Sequence, residues 1–414
     1  MNNTKTLTNR LSLRNWKELA YNGQEELALN LSDQELDNNT CQDMLKIPFS
    51  SLILQRCHLG EKEIFTLSRH SKIKKLDLSE NNIGVAGAKT LSTGNLSFLL
   101  SLDLTGNHIG DSGTKLLTTG NLSSLISLYL VRNGVGDIGA KALSKSTLSS
   151  LTSLYLAGNN IGTAGAEAFS SGDLGSLKSL HLGKNRIRTA GTKALVTGNL
   201  NSLNLLYLED NHIGNFGAET LARSNLTSLT FLYLESNNID DIGAKALATG
   251  NLTSLTSLDL EDNNVSDGGV EALSKGNLSA LSSLHLGKNR VGIAGIKALV
   301  SGNLTALTSL NLEGNNIGDD GVEALSRGNL TALSSLHLGK NKIGIAGIKA
   351  LASGNLTSLT SLNLTGNRID TEGIKVLLEG NFSALKSLDL RDNYIGEKAK
   401  KLLGKMNSLT ELRL

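Results

Sequence analysis

Proline is nearly absent from this chain of 414 residues, Pro48 being the only one. Aromatic residues make up 3%, and there are two cysteines, Cys41 and Cys57. Each scarcity excludes a class of protein. Disordered low-complexity chains are commonly rich in proline as well as glycine, so the 44 glycines here must be read by position. Two cysteines cannot build a disulfide framework; they fit a reducing compartment or indifference to redox state. With 39% hydrophobic residues and so few aromatics, the core must be aliphatic. No charge sign dominates, since 40 basic and 38 acidic residues leave a net +2. That balance argues against nucleic acid or a membrane surface as a partner held by long-range attraction. No apolar run is long enough to cross a bilayer, and the polar segment Met1 to Leu11 lacks the apolar stretch of a secretory signal. The expectation is a cytoplasmic site of synthesis, with export by a non-classical or specialised bacterial system as the other route.

What is present is a period. Asparagine stands at 81, 107, 133, 159, 185, 211, 237, 263, 289, 315, 341, 367 and 393, thirteen times at a step of 26. Around each runs L-x-x-L-x-L-x-x-N-x-I/V, as in Leu151, Leu154, Leu156, Asn159 and Ile161. Leu154 and Leu156 alternate with Ser153 and Tyr155, the period of a strand. The second half of the copy predicts a short helix, as in Gly243 to Leu247, whose small residues let it lie close to the strands. Gly250 is expected to end that helix in a left-handed conformation. One such unit cannot bury its own apolar face, and stacked copies can. Each recurring Asn sits at the turn out of the strand, where its amide can serve backbone groups that no ladder reaches, so a continuous hydrogen-bonded column is expected. Cys57 takes the Asn position in the first full copy and reads as structural. Along the helices, Lys141, Glu167, Lys193, Glu219, Lys245, Glu271, Lys297, Glu323 and Lys349 alternate in sign, predicting weak pairing between neighbouring helices.

This pattern resembles the leucine-rich-repeat family in its ribonuclease-inhibitor-like form, and the low drift between copies is similar to that of bacterial host-directed effectors. The resemblance implies an α/β solenoid, a horseshoe with a parallel β-sheet on the concave face and short helices on the convex face. It covers roughly residues 49–414. Residues 1–48 are expected to hold a capping helix, with Leu13, Trp16, Leu19 and Ala20 at helical spacing, and a degenerate first copy at Leu29, Leu31 and Leu36. The final strand, Leu409 to Leu414, has no visible cap, which leaves self-association through that edge as an alternative role.

The exposed position between the second and third leucines carries Tyr129, Tyr155, His181, Tyr207 and Tyr233 in consecutive copies, four of the six tyrosines. Strands lie about 4.8 Å apart, so these rings should form a ladder. Tyrosine is enriched at binding hot spots. Glu209, Asp210, Glu235, Glu261 and Asp262 follow on neighbouring positions, with Lys184 and Arg186 before them and Lys288 and Arg290 after. These ten aromatic and acidic residues are the candidate contacts for a protein partner; stacking that merely stabilises the sheet is the competing reading. No metalloprotease, phosphate-loop, nucleophile-elbow or paired-cysteine motif occurs. His285 and His337 stand two copies apart, about 10 Å, too far to share a metal. A non-catalytic scaffold without cofactor or metal is expected. The alternative that the resemblance implies, GTPase activation, lacks any loop insertion to carry an aperiodic Asn or Arg.

Overall fold

The computed structural model describes residues 5–8, 27–47, 49–404 and 409–414. The helix predicted around Trp16 lies outside the described residues. The chain divides into two compact units, Met1–Tyr207 and Leu208–Leu414.

In the first unit, β1 (Lys5–Thr8), β2 (Leu27–Asn30), β3 (Phe49–Ile53), β4 (Lys75–Asp77), β5 (Ser101–Asp103), β6 (Ser127–Tyr129), β7 (Ser153–Tyr155), β8 (Ser179–His181) and β9 (Leu205–Tyr207) pair consecutively and in parallel. Between them run α1 (Asn38–Met44), α2 (Glu61–Leu67), α3 (Gly84–Thr93), α4 (Gly110–Thr118), α5 (Asp137–Ser144), α6 (Thr163–Ser171) and α7 (Arg188–Val196). The second unit repeats the plan, from α8 (Gly214–Ala222), β10 (Phe231–Tyr233), α9 (Asp241–Thr249) and β11 (Ser257–Asp259) to α15 (Glu397–Leu403) and β17 (Glu411–Arg413), again with consecutive parallel pairs. Register is strict: Leu128 faces Leu154 and Leu154 faces Leu180, so identical positions stack.

The core of each unit lies between its strand layer and its helix layer. Leu154, Leu156 and Ile161 of one copy, and Leu247, Leu252 and Leu255 of another, are wholly buried. Each such side chain contributes about 2 kcal/mol of burial.

The expected asparagine column is present. Asn133 Oδ1 accepts from the backbone of Asn107 and Ile109, each at 3.1 Å, while its Nδ2 donates to the Leu104 carbonyl at 2.8 Å. In the second unit, Asn367 Oδ1 accepts from the backbone of Asn341 and Ile343, each at 3.0 Å. Cys57 fills the same place: its buried thiol donates to the Leu31 carbonyl at 3.1 Å.

Two expectations are corrected. Gly250 is extended (φ −84°), not left-handed. Its glycine identity comes from crowding, because a Cβ there would strike the Ala222 carbonyl oxygen at the end of the preceding helix. That same oxygen accepts from Asn251 N–H at 2.7 Å, so the helix end is satisfied by the next copy's backbone, which only a side-chain-free residue lets approach. Gly94 repeats the arrangement against the Ser68 oxygen, where a Cβ would sit at 2.6 Å. The helix charge row also behaves differently. Glu219, Glu271 and Glu323 pair with Arg223 (2.8 Å), Lys275 (2.6 Å) and Arg327 (2.6 Å) one turn along their own helices. Among the described residues, no ion pair joins the row across helices.

A second column runs along the helix N-termini. Asp111 Oδ1 accepts from Gly136 (2.7 Å) and Gly139 (2.9 Å) of the following copy, and Asp137 Oδ1 from Gly162 (2.6 Å) and Gly165 (2.9 Å). In the second unit, Asp267 and Asp319 serve Gly292 and Gly344, each at 2.7 Å. Each carboxylate thus caps the next copy's helix, satisfying donors that a helix start leaves open.

Candidate functional site

From β4 onward each strand is three residues long, with its middle leucine inward and its outer two side chains on the opposite face. The last of the three decides how the strand ends. Where it is Asp or Asn, its side chain folds back onto the chain. Asp77 Oδ1 accepts from Ser79 N–H (2.9 Å) and Asp103 Oδ1 from Thr105 N–H (2.8 Å). Asp259, Asn311, Asn363 and Asp389 do the same to Glu261 (2.8 Å), Glu313 (3.0 Å), Thr365 (2.9 Å) and Arg391 (3.2 Å). This local turn is a structural task for short polar side chains. A Tyr at the position carries its one acceptor, the hydroxyl, at the far end of the ring, out of reach of that N–H.

Tyr129, Tyr155, His181 and Tyr207 hold that position in four consecutive copies of the first unit. Their rings stack at centroid distances of 4.0, 4.1 and 4.1 Å, with interplanar angles of 10°, 28° and 17°. The spacing is shorter than that between strands, so the rings close onto one another. Face-to-face stacking consumes the aromatic faces inside the ladder and turns ring edges and hydroxyls outward. All four side chains are half-buried. Burial lowers the His181 pKa to about 4, and burial together with the adjacent Tyr155 raises that of Tyr129 to about 12. Both are uncharged at neutral pH. His181 Nε2 and Ser179 Oγ are hydrogen-bonded at 2.8 Å.

In the second unit, Tyr233 stands opposite Asp259 across β10 and β11. Glu235, Asp259, Glu261 and Asp262 crowd together. Burial first, then the charges of Asp259 and Glu261, raise the Glu235 pKa above the usual carboxylate value. Lys288, expected to stand after the acidic stretch, is part of it: its Nζ lies 2.7 Å from Glu261 Oε1. Asn311 Nδ2 donates to Glu261 Oε2 at 3.1 Å, and Ser236 Oγ to Asp262 Oδ2 at 2.6 Å. His285 Nδ1 lies 3.2 Å from Asp259 Oδ2, and that contact raises the His285 pKa. Asp210, Asp262 and Lys288 have left-handed backbones, with φ of 51°, 52° and 50°. Asp210 is exposed, whereas Glu209 is half-buried.

Sequence reasoning passed over two residues. The first strand position is Ser in β5 to β8 and again in β11, but Leu205 in β9 and Phe231 in β10. Phe231 is 38% exposed. The signal was legible as a break in the serine row. Among the described residues, no three His, Cys, Asp or Glu side chains are grouped to hold a metal, and no helix is long and apolar enough to cross a membrane.

Two leucine-rich-repeat family models match the chain. One covers residues 149–213; the other covers 69–92, 95–117, 121–144, 225–248, 251–274, 303–326, 329–352 and 355–378. An internalin from Listeria monocytogenes is similar in structure, with 27% identity, a TM-score of 0.57, and coverage of 86% of this chain and 89% of that one. A leucine-rich-repeat protein from Leptospira interrogans shares the fold at 21% identity and a TM-score of 0.50, over 99% of each chain. No curated protein matches the sequence.

Proposed function

We propose that this chain, which belongs to the leucine-rich-repeat family, is a non-catalytic scaffold that holds a protein partner against its exposed strand positions. The contacts in the first unit are Tyr129, Tyr155, His181 and Tyr207. Those in the second are Glu209, Asp210, Tyr233, Glu235, Glu261 and Asp262. One observation carries the reading. Asp and Asn at the strand-end position fold back to close the turn, and five consecutive copies replace them with rings that cannot. Stacking offsets the hydrogen bond of about 1 kcal/mol given up in each stacked copy, and the exchange leaves a continuous row of exposed ring edges that the Asp and Asn copies, and the isolated His285 and His337, do not have. Leu205 and Phe231 add apolar area beside the rings in their respective units, the composition that binding surfaces concentrate.

The same observation supplies a test that spares the fold. Tyr155→Asp installs the residue that Asp103 already uses at this position. The variant should keep its unfolding midpoint and lose a cross-linked protein partner of the wild-type chain by about tenfold or more. A partner held equally by both forms would sink the aromatic contact. Glu235→Gln with Asp262→Asn tests the acidic contacts separately.

A further inference from the structure

One copy breaks the pattern at its buried edge. The residue that opens the final turn toward the strand is Leu96, Leu122, Leu148, Leu174 and Leu200 in the first unit, and Leu in the second from Leu226 to Leu356, then Phe382, all buried. In the copy before Leu96 it is His70, 5% exposed. Its ring stacks on Phe49 at 4.5 Å, and Nε2 donates to the Ile47 carbonyl at 3.3 Å. That bond places the proton of the neutral ring on Nε2. Nδ1 is left buried with no hydrogen-bond partner, a state that calls for an explanation in a folded protein.

The same copy departs twice more. Arg69 stands where the copies from Asn95 to Asn381 have Asn, Asp or Thr, and Lys72 where they have Ser, Ala or Phe98. With Leu45, Lys46, Ile47, His70 and Ser71, these two line a pocket of about 160 Å³. Lys46 is paired with Asp43 at 2.6 Å. Among the described residues, neither Arg69 nor Lys72 has an ion-pair partner, and Arg69 lies over the Phe65 ring at 5.7 Å. A buried imidazole in place of leucine and two unpaired cations thus coincide in one copy, at one pocket.

We propose that this pocket binds a small oxyanion of the phosphate class that still carries a proton, its charge held by Arg69, Lys72 and the Ser71 hydroxyl and its P–OH donating to the unpaired Nδ1 of His70. Arginine and lysine make charge-assisted hydrogen bonds to such groups, roughly twice as strong as neutral ones. The volume is sufficient for a single anion. The charged groups that line the pocket with His70 are Lys46, Arg69 and Lys72, Lys46 being paired with Asp43. Burial and the Lys72 charge hold its pKa low, so a bound anion would move its titration upward.

The full chain is titrated with inorganic phosphate while the imidazole signals of His70 and His181 are followed by NMR. The His70 signals should shift saturably and its titration should move to higher pH, with His181 unchanged. Arg69→Ala with Lys72→Ala, both exposed positions, should weaken phosphate binding about tenfold or more. Signals of His70 that do not saturate, or equal binding by the double variant, would overturn the assignment. Vesicles containing phosphatidic acid form the second arm. If they move the same His70 signals and compete with phosphate, a headgroup is a source of the anion. If they do not bind, the free ion is. Vesicle binding that leaves His70 unmoved while phosphate also fails refutes the pocket.

Discussion

At the scale of single residues, a position can be read correctly for its identity and wrongly for its reason. The asparagine column was legible because one amide meets both needs of a stacked turn and the step of 26 never slips. Cys57 was legible as its stand-in for the same reason. Gly250 was placed correctly at the helix end, but the expected left-handed backbone is absent, because the constraint comes from the Ala222 carbonyl of another copy. No local window contains that contact. The two explanations separate by experiment. A left-handed site tolerates Asn better than Ala, whereas a crowded extended site rejects any Cβ. Gly250→Ala and Gly250→Asn should therefore both destabilise by about 1–3 kcal/mol, as overpacking does, seen as lower urea midpoints. A nearly neutral Gly250→Asn would restore the left-handed reading.

At the scale of the element, the unpredicted feature is the capping of several helices by the copy before them. The Asp137 carboxylate accepts from backbone groups 25 and 28 residues further on, and only some copies carry Asp or Asn there; others have Ile293 or Ile345. Sequence rules for helix starts look within the helix itself, so an acceptor from outside goes unseen. The strand-end position was hidden in a similar way. Its Asp and Asn were legible as exposed residues, but their turn-closing bonds, which make the tyrosines informative, appear only in the folded chain. Asp137→Ala should cost about 1 kcal/mol, the usual loss for a helix cap, with Asp137→Asn recovering most of it. Amide exchange should quicken at Gly162, which precedes α6, and at Gly165 within it, rather than in the helix that carries the substitution. Faster exchange confined to α5 would show that Asp137 acts only on its own helix.

At the scale of the whole chain, the two units carry histidines that link stability to pH in opposite directions. In the first unit, burial lowers the His181 pKa from 6.5 to about 4. The folded state resists the proton that the unfolded state accepts, so His181's contribution is complete above 6.5 and declines as pH falls toward 4. His70 acts in the same direction. In the second unit, the Asp259 carboxylate raises the His285 pKa. That pair is fully stabilising below 6.5, the unfolded value, and its contribution is lost as pH rises through the folded value. His337, lowered by burial and by its neighbour His285, opposes this within its own unit, so each group must be judged against its own replacement. His181→Phe keeps a ring in the stack and should flatten the acid-side loss of protection in β7 and β8. His285→Gln keeps a hydrogen-bonding group and should remove the gain in protection of β11 as pH falls from 8 to 6. Amide exchange corrected for intrinsic rates resolves both in one experiment, because β8 and β11 belong to different units. A common direction for the two effects would mean that neither Asp259 nor the stack governs its histidine. Opposite directions would make mild acidification a way to loosen the aromatic contacts while the Asp259–His285 pair tightens beside the acidic ones.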